Sequence, residues 1–265
     1  MSVCLITYNH EEYVAQAIES VLTQATSFPF EIRIGEDRST DGTREIVESY
    51  GNRFPEKIRL NLQETNRGLV RNFLSTFESC RGEYVALLDG DDFWTDSGKL
   101  QKQAEFLDRH AECSICFHQT QVLLADGTLC EADYTRADHP LFTSIDALFE
   151  TNFIATCSAM LRRTTVSDIP AWYTSCPWED WPLYMLFAAR GKIGYLSEPM
   201  GIYRSHGRGL WSGRDRAAQL EDVIGFLLAM DERLRRRYTT QILRSASRYV
   251  EELERLVADR TPTPV

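Results

Sequence analysis

The chain is 265 residues long, 43% hydrophobic and formally −10 in charge at neutral pH, with a pI near 5.1. That apolar content supplies a sizeable core and excludes a disordered chain, while the acidic balance argues against nucleic acid as a partner, since phosphate-backbone binders carry a basic field. No apolar run reaches the ~18 residues of a membrane span, and a strand-like segment follows Met1 where a signal peptide would carry a charged region, so a cytoplasmic protein is expected.

In chain order, Ser2 to Thr7 reads as a strand, Tyr8-Asn9-His10 as a turn, and Glu11 to Gln24 as a helix with Val14, Ala17, Ile18, Val21 and Leu22 at helical spacing. Phe30 to Ile34 is a second strand, followed by a polar loop from Glu36 to Thr43 and a helix to about Tyr50. Ile58 to Leu62, Leu69 to Cys80 and Glu83 to Leu88 continue the alternation as strand, helix and strand. This βαβ rhythm predicts an α/β fold with a mainly parallel sheet flanked by helices, and ligands at the carboxyl ends of the strands.

Further on, Lys99 to Arg109 has one apolar helix face, Ser114 to Leu124 reads as a strand, and Asp126-Gly127 as a hairpin turn. Asp133 to Thr143 lacks periodicity and is expected as a loop over the site. Thr156 to Arg162, Ile193 to Leu196 and Met200 to Arg204 read as strands, and Trp181 to Ala189 as a helix. The glycine-bearing segment Ser205 to Arg214 is expected to be mobile, and a helical pattern runs from Asp215 to about Asp259. The expected organisation is a domain over 1–214, a helical appendage over 215–260 and a disordered tail over 261–265. Seven cysteines, an odd number in apolar or helical contexts, read as reduced and structural; Cys113 and Cys116 have redox or zinc spacing but no second pair.

The chemistry concentrates at Asp89-Gly90-Asp91-Asp92, behind the apolar run Tyr84 to Leu88. Such a run is a strand buried on both faces. Acids this close repel one another unless a hard cation such as Mg²⁺ or Mn²⁺ lies among them. Gly90 lets the backbone approach a ligand. A solvated acidic turn is the competing explanation.

Several pieces stand in order: Ile6-Thr7-Tyr8-Asn9, Glu36-Asp37 with Ser39-Thr40-Asp41-Gly42-Thr43, Asp89-Gly90-Asp91-Asp92, and Trp178-Glu179-Asp180-Trp181. Together they resemble family 2 glycosyltransferases of the GT-A fold, over roughly residues 2 to 215. The run from Leu87 to Gln103, with Trp181-Pro182-Leu183 and Tyr203-Arg204-Ser205-His206-Gly207, is similar to a bacterial subgroup associated with surface polysaccharides. The resemblance implies a Rossmann-like nucleotide-diphospho-sugar transferase fold and an inverting transfer from a nucleotide diphosphate sugar, UDP-linked by expectation, to a hydroxyl of a saccharide or lipid-linked saccharide.

Carried over residue by residue, Thr7, Tyr8, Asn9, Glu36 and Asp37 lie in the nucleotide pocket, with Asp37 accepting from the base and Tyr8 stacking on it. Arg71 balances Asp37 or touches the diphosphate. Asp89, Gly90 and Asp91 hold the donor, Asp91 is the first metal ligand, and Asp89 and Asp92 are further candidates. His206 is a third-ligand candidate in the glycine-bearing loop, and Trp211 covers the diphosphate; His10, His110, His118 and His139 are read as solvent or packing residues. Asp180 is the general base that takes the acceptor proton, with Glu179 as runner-up. Asp92, Trp94, Trp178 and Trp181 are acceptor-binding candidates, aromatic faces stacking on sugars, although a buried apolar anchor explains Trp181 equally well. Arginines 233, 235, 236, 237, 244 and 248 suit an anionic membrane surface, a solvated face or a homodimer contact. A non-catalytic sugar-nucleotide or glycan-binding module with the same fold is the alternative function. A sugar-phosphate nucleotidyltransferase would need a Gly-rich, Arg-containing loop and a Lys, which Thr7-Tyr8-Asn9-His10 does not supply.

Overall fold

The computed structural model describes residues 1–132, 138–207 and 214–260. Trp211 and the 261–265 tail lie outside the described residues, as does part of the loop expected between Asp133 and Thr143. The first half alternates as expected: β1 (Ser2–Thr7), α1 (Val14–Leu22), β2 (Glu31–Glu36), α2 (Thr43–Arg53), β3 (Ile58–Leu62), α3 (Leu69–Ser79) and β4 (Tyr84–Asp89). Then come β5 (Phe93–Trp94), α4 (Lys99–Arg109), β6 (Cys113–Leu124), β7 (Leu129–Glu131), β8 (Phe142–Thr143), α5 (Ile145–Glu150) and β9 (Met160–Arg162). The chain finishes with α6 (Asp180–Ala188), β10 (Lys192–Ser205), α7 (Arg216–Arg233) and α8 (Thr239–Arg260).

One sheet runs through the molecule in the order β3-β2-β1-β4-β9-β6-β10-β5, with β7 beside β6 and β8 beside β10. β1 pairs in parallel with both β2 and β4, β3 joins β2 in parallel, and β6 and β10 are parallel to each other; β9 and β5 are antiparallel insertions. The period-2 alternation of a strand explains why both faces are covered. β4 sends Val85 and Leu87 into the layer holding α3, α5 and α6, and Tyr84, Ala86 and Leu88 into the layer holding α1 and α4. α6 is apolar all round, so it lies inside, with Trp181 to Ala188 all buried. Its Pro182 falls in the first turn, where the missing N–H breaks no helical bond. Val223, Phe226, Leu227 and Met230 of α7 and Ile242 of α8 join the same apolar layer as α6.

Several local expectations shift. Thr156 to Arg162 is not one strand: a 3₁₀ turn at Thr156–Ser158 precedes β9, which begins only at Met160. The two strands expected over 193–204 are one, β10, whose register against β6 slips between Leu196 and Gly201. Pro199 lies in that slip and has no ladder N–H to give. The helical run after Asp215 breaks between α7 and α8, where Arg235 and Arg236 adopt φ of 58° and 56°. α5, only six residues long, follows Ser144, whose side chain caps it by accepting from Asp146 N. The arginine-rich stretch is partly spent inside the chain, since Arg233 donates to Ser175 and lies over Trp172, and Arg248 pairs with Glu150. All seven cysteines are free thiols, and Cys130 alone is exposed. No helix among the described residues is long and apolar enough to cross a membrane.

Candidate active site

The carboxyl ends of β1 and β4 lie side by side, so Thr7 and the turn from Asp89 to Asp92 share one floor. Gly90 N donates to Ile6 O at 2.8 Å, which pins the turn to β1. A Cβ at position 90 would come within 2.5 Å of Thr7 Oγ1 and 2.9 Å of His10 Nδ1, so only glycine allows this approach. Asp91 Oδ2 stands 3.1 Å from His206 Nε2 and 3.6 Å from His10 Nε2. Arg204 ties down the rest of the turn: its Nε donates to Asp91 O at 2.7 Å and its backbone N to Asp92 Oδ1 at 2.8 Å. Its guanidinium lies over Tyr13 and Phe93, and Tyr13 in turn stacks on His206 at 5.2 Å.

Burial pushes Asp89, Asp92 and Glu179 well above their ordinary ranges, and the neighbouring carboxylates push them further: Asp91 and Asp180 on Asp89, Asp91 and Asp89 on Asp92, Asp180 and Asp89 on Glu179. Asp91 is the exception. Burial acts on it in the same direction, yet the His206 hydrogen bond and the nearby His10 hold it below the usual carboxylate value. The buried Asp89 carboxyl draws on the Thr156 hydroxyl, and the buried Asp92 carboxyl on the Arg204 N–H and the weakly donating thiol of Cys157, none of which carries a charge. The cluster is therefore short of positive charge. Asp91, His206 and the Asp89 oxygen are oxygen and imidazole donors of a kind that Mn²⁺ or Mg²⁺ accepts.

On the side of β2 the acids are answered by the chain itself. Glu36 is fully buried, 2.9 Å from Arg44 Nε, and accepts from Ser39 N at 2.5 Å. Asp37 accepts from Arg67 N at 2.8 Å and Gly68 N at 2.9 Å, while its own N–H donates to Thr7 O at 3.1 Å. Burial raises the Asp37 carboxyl, and these two N–H groups oppose that. Gly68 has φ of 81°, the left-handed region that favours glycine. Asn9 also adopts positive φ, 55°, and links the two strand ends by accepting from Thr40 N at 2.8 Å while its own N–H donates to Ser39 Oγ at 3.0 Å. Tyr8 is 41% exposed, and Arg71 is exposed on the first turn of α3.

Asp180, near enough to Asp89 to push its carboxyl up, opens α6 at the N-terminal end that favours an acid. It accepts from Asn152 Nδ2 at 2.7 Å and from Trp181 N at 2.6 Å. Burial raises its carboxyl, and those two donors hold the rise back. Glu179 is buried more deeply, 6% exposed. Trp94 and Trp181 are buried in the core and present no open face for a sugar. Trp94 Nε1 donates to Cys157 O at 2.8 Å with the Lys99 ammonium 3.8 Å from its ring centre, and Trp181 Nε1 donates to Leu148 O at 2.8 Å. Trp178 is half-buried against Trp181 and Phe226. Sequence reasoning missed His10, Tyr13, Asn152 and Arg204. The adjacency of His10 to Thr7-Tyr8-Asn9, and of Arg204 to His206, was the available signal.

Residues 2–168 match the family described as glycosyl transferase family 2. The Bacillus subtilis protein TuaG, named as a teichuronic acid biosynthesis glycosyltransferase, is 31% identical over 222 residues, covering 83% of this chain and 84% of TuaG. The Mycobacterium tuberculosis protein Rv1520 is 41% identical over 212 residues, 80% of this chain, and the chain spans 60% of the length of that relative. Among solved structures, S. aureus TarS in complex with UDP-GlcNAc superposes with a TM-score of 0.62 at 20% identity, over 86% of this chain and 66% of that one. The Pyrobaculum calidifontis mannosyltransferase PcManGT, in complex with GDP-Man and Mn²⁺, superposes with a TM-score of 0.66 at 14% identity, over 99% of this chain and 76% of that one. The sheet, its flanking helices and these likenesses are those of the GT-A fold, and the chain belongs to glycosyl transferase family 2.

Proposed function

We propose that the protein is an inverting glycosyltransferase that moves a sugar from a nucleotide diphosphate donor, UDP-linked, to a hydroxyl of a saccharide or lipid-linked saccharide in bacterial polysaccharide assembly. The observation that carries this reading is the acid cluster at the ends of β1 and β4, with Asp180 near enough to act on Asp89. Thr7, Tyr8, Asn9 and Asp37 take the nucleotide, the exposed Tyr8 ring being free to stack on the base. Asp91 and His206 hold Mn²⁺ or Mg²⁺, with Asp89 and Asp92 behind them. When bound, the cation neutralises charge on the leaving diphosphate.

Asp180 takes the proton from the acceptor hydroxyl as that oxygen attacks the anomeric carbon and the C1–O bond to the diphosphate breaks. The raised pKa of Asp180 suits a base, and its bonds from Asn152 and Trp181 N fix its aim while leaving lone pairs to accept a proton. The deeper burial of Glu179 favours Asp180 for this role. The likeness to TuaG supports a surface-polysaccharide acceptor.

A thermal-shift panel of UDP, GDP, CMP and dTDP sugars with and without Mn²⁺, followed by transfer assays, tests the reading. Metal-dependent stabilisation by one nucleotide sugar, with turnover, is expected. Binding without turnover on any acceptor would instead indicate a sugar-nucleotide-binding module.

A further inference from the structure

Asp91 and His206 lie 115 residues apart, so only tertiary contacts set the 3.1 Å between Asp91 Oδ2 and His206 Nε2. The ladder between β5 and β10, the strands next to each of them, ends at the pair Phe93 and Ile202. Arg204 takes over where it stops. Its backbone N–H donates to Asp92 Oδ1 at 2.8 Å, its Nε to Asp91 O at 2.7 Å, and its Nη2 to Gln16 Oε1 at 2.7 Å. Its guanidinium carbon lies over the Tyr13 and Phe93 rings, 4.7 and 5.0 Å from their centres. One planar side chain thus joins the acid turn, the first turn of α1 and the strand that leads into His206.

The side-chain donors of Arg204 go to a main-chain carbonyl and to an amide oxygen, both neutral. A guanidinium forked onto the Asp91 or Asp92 carboxylate would itself supply the positive charge that a cation brings. Turned onto the carbonyl of Asp91, it orders the acid turn and leaves the carboxylates their charge. We propose that Arg204, anchored on Gln16, is a positioning residue for the cation site, holding Asp91 against His206 so that the pair is in place before a divalent cation binds. The inference rests on the metal-dependent reading above. Outer partners that orient metal ligands are worth about ten- to a hundredfold in metal affinity.

The test is calorimetric titration of Mn²⁺ into the full chain, alone and with UDP present, beside thermal unfolding of the metal-free protein. Arg204→Ala should weaken Mn²⁺ by roughly ten- to a hundredfold. Gln16→Ala, at an exposed position on α1, should weaken it several-fold without touching an acid. Because Gln16 acts through the arginine, the double variant should bind Mn²⁺ no more weakly than Arg204→Ala alone. A merely structural role would lower the unfolding temperature of the metal-free variants and leave their Mn²⁺ affinity at the wild-type value. That outcome would overturn the proposal, as would losses that add in the double variant. Where Arg204→Ala folds poorly, Gln16→Ala decides: wild-type Mn²⁺ affinity in that variant removes the anchor and the proposal with it. A wild type that binds no Mn²⁺ in either condition would overturn the metal reading itself, and this inference with it.

Discussion

Two acidic clusters end strands on either side of β1, Glu36-Asp37 after β2 and Asp89 to Asp92 after β4, and the chain treats them in opposite ways. The first is answered from within: Arg44 and Ser39 N meet Glu36, and Arg67 N and Gly68 N meet Asp37. The second is left wanting: burial and neighbouring carboxylates push Asp89 and Asp92 up, and only Asp91 is held down, by His206 and His10. A buried charge without a partner is costly, so a fold retains a cluster of this kind where a ligand completes it. On the function proposed above, the first cluster shapes the nucleotide side and the second is left for a cation and a diphosphate.

The comparison can be broken by substitution. The largest effect is expected at the far wall of the open cluster: Asp180→Asn should cut the turnover rate by about 10²–10⁴ while donor affinity, measured by titration, stays near wild type. Unimpaired transfer would remove Asp180 as the base. Next, Mn²⁺ at a hundredfold its Kd should raise the unfolding free energy by about 2.7 kcal/mol in the wild type, and Asp91→Asn should abolish the gain.

On the closed side, Glu36→Gln strands Arg44 and should cost roughly 2 kcal/mol in chemical denaturation, with little change in the Mn²⁺ response. A smaller effect is expected from Tyr13→Ala, which removes the ring beneath His206. The loss should be about 1 kcal/mol of transition-state stabilisation, read as a several-fold fall in kcat/KM.

Acidity sharpens the same contrast. Asp89, Asp92 and Glu179 have folded pKa values above their unfolded ones, so the folded chain holds protons that the unfolded chain has released. Their contribution to stability is therefore present at low pH and is lost as pH rises from the unfolded carboxylate range through the raised folded values. Metal-free protein should lose stability across that window, and the thermal shift from Mn²⁺ should be larger near pH 8 than near pH 5. An equal shift at both would mean that the cluster is already neutralised.

Lys99 illustrates what stays hidden in a one-dimensional reading. Its place at the start of an amphipathic helix suggests a solvated side chain, yet it is fully buried over Trp94, and that burial lowers its pKa to about 7. The same packing turned Trp94 from a candidate sugar platform into a core anchor. His10 moved the other way, from a residue read as solvent or packing to a neighbour of Asp91 at 3.6 Å.

The sequence by itself determined the alternation of strands and helices, the doubly buried β4, and the placement of acids at the carboxyl ends of parallel strands. These follow from local periodicity, which a chain carries whatever surrounds it. The slip in β10, the break between α7 and α8 and the partner of each acid were decided only by the tertiary structure. Arg204 reaches Asp92 across 112 residues and Asn152 reaches Asp180 across 28, and desolvation depends on everything packed around a group. Whether a carboxylate is satisfied or left for a ligand is a property of that packing, because compensation of charge acts through space and not along the chain.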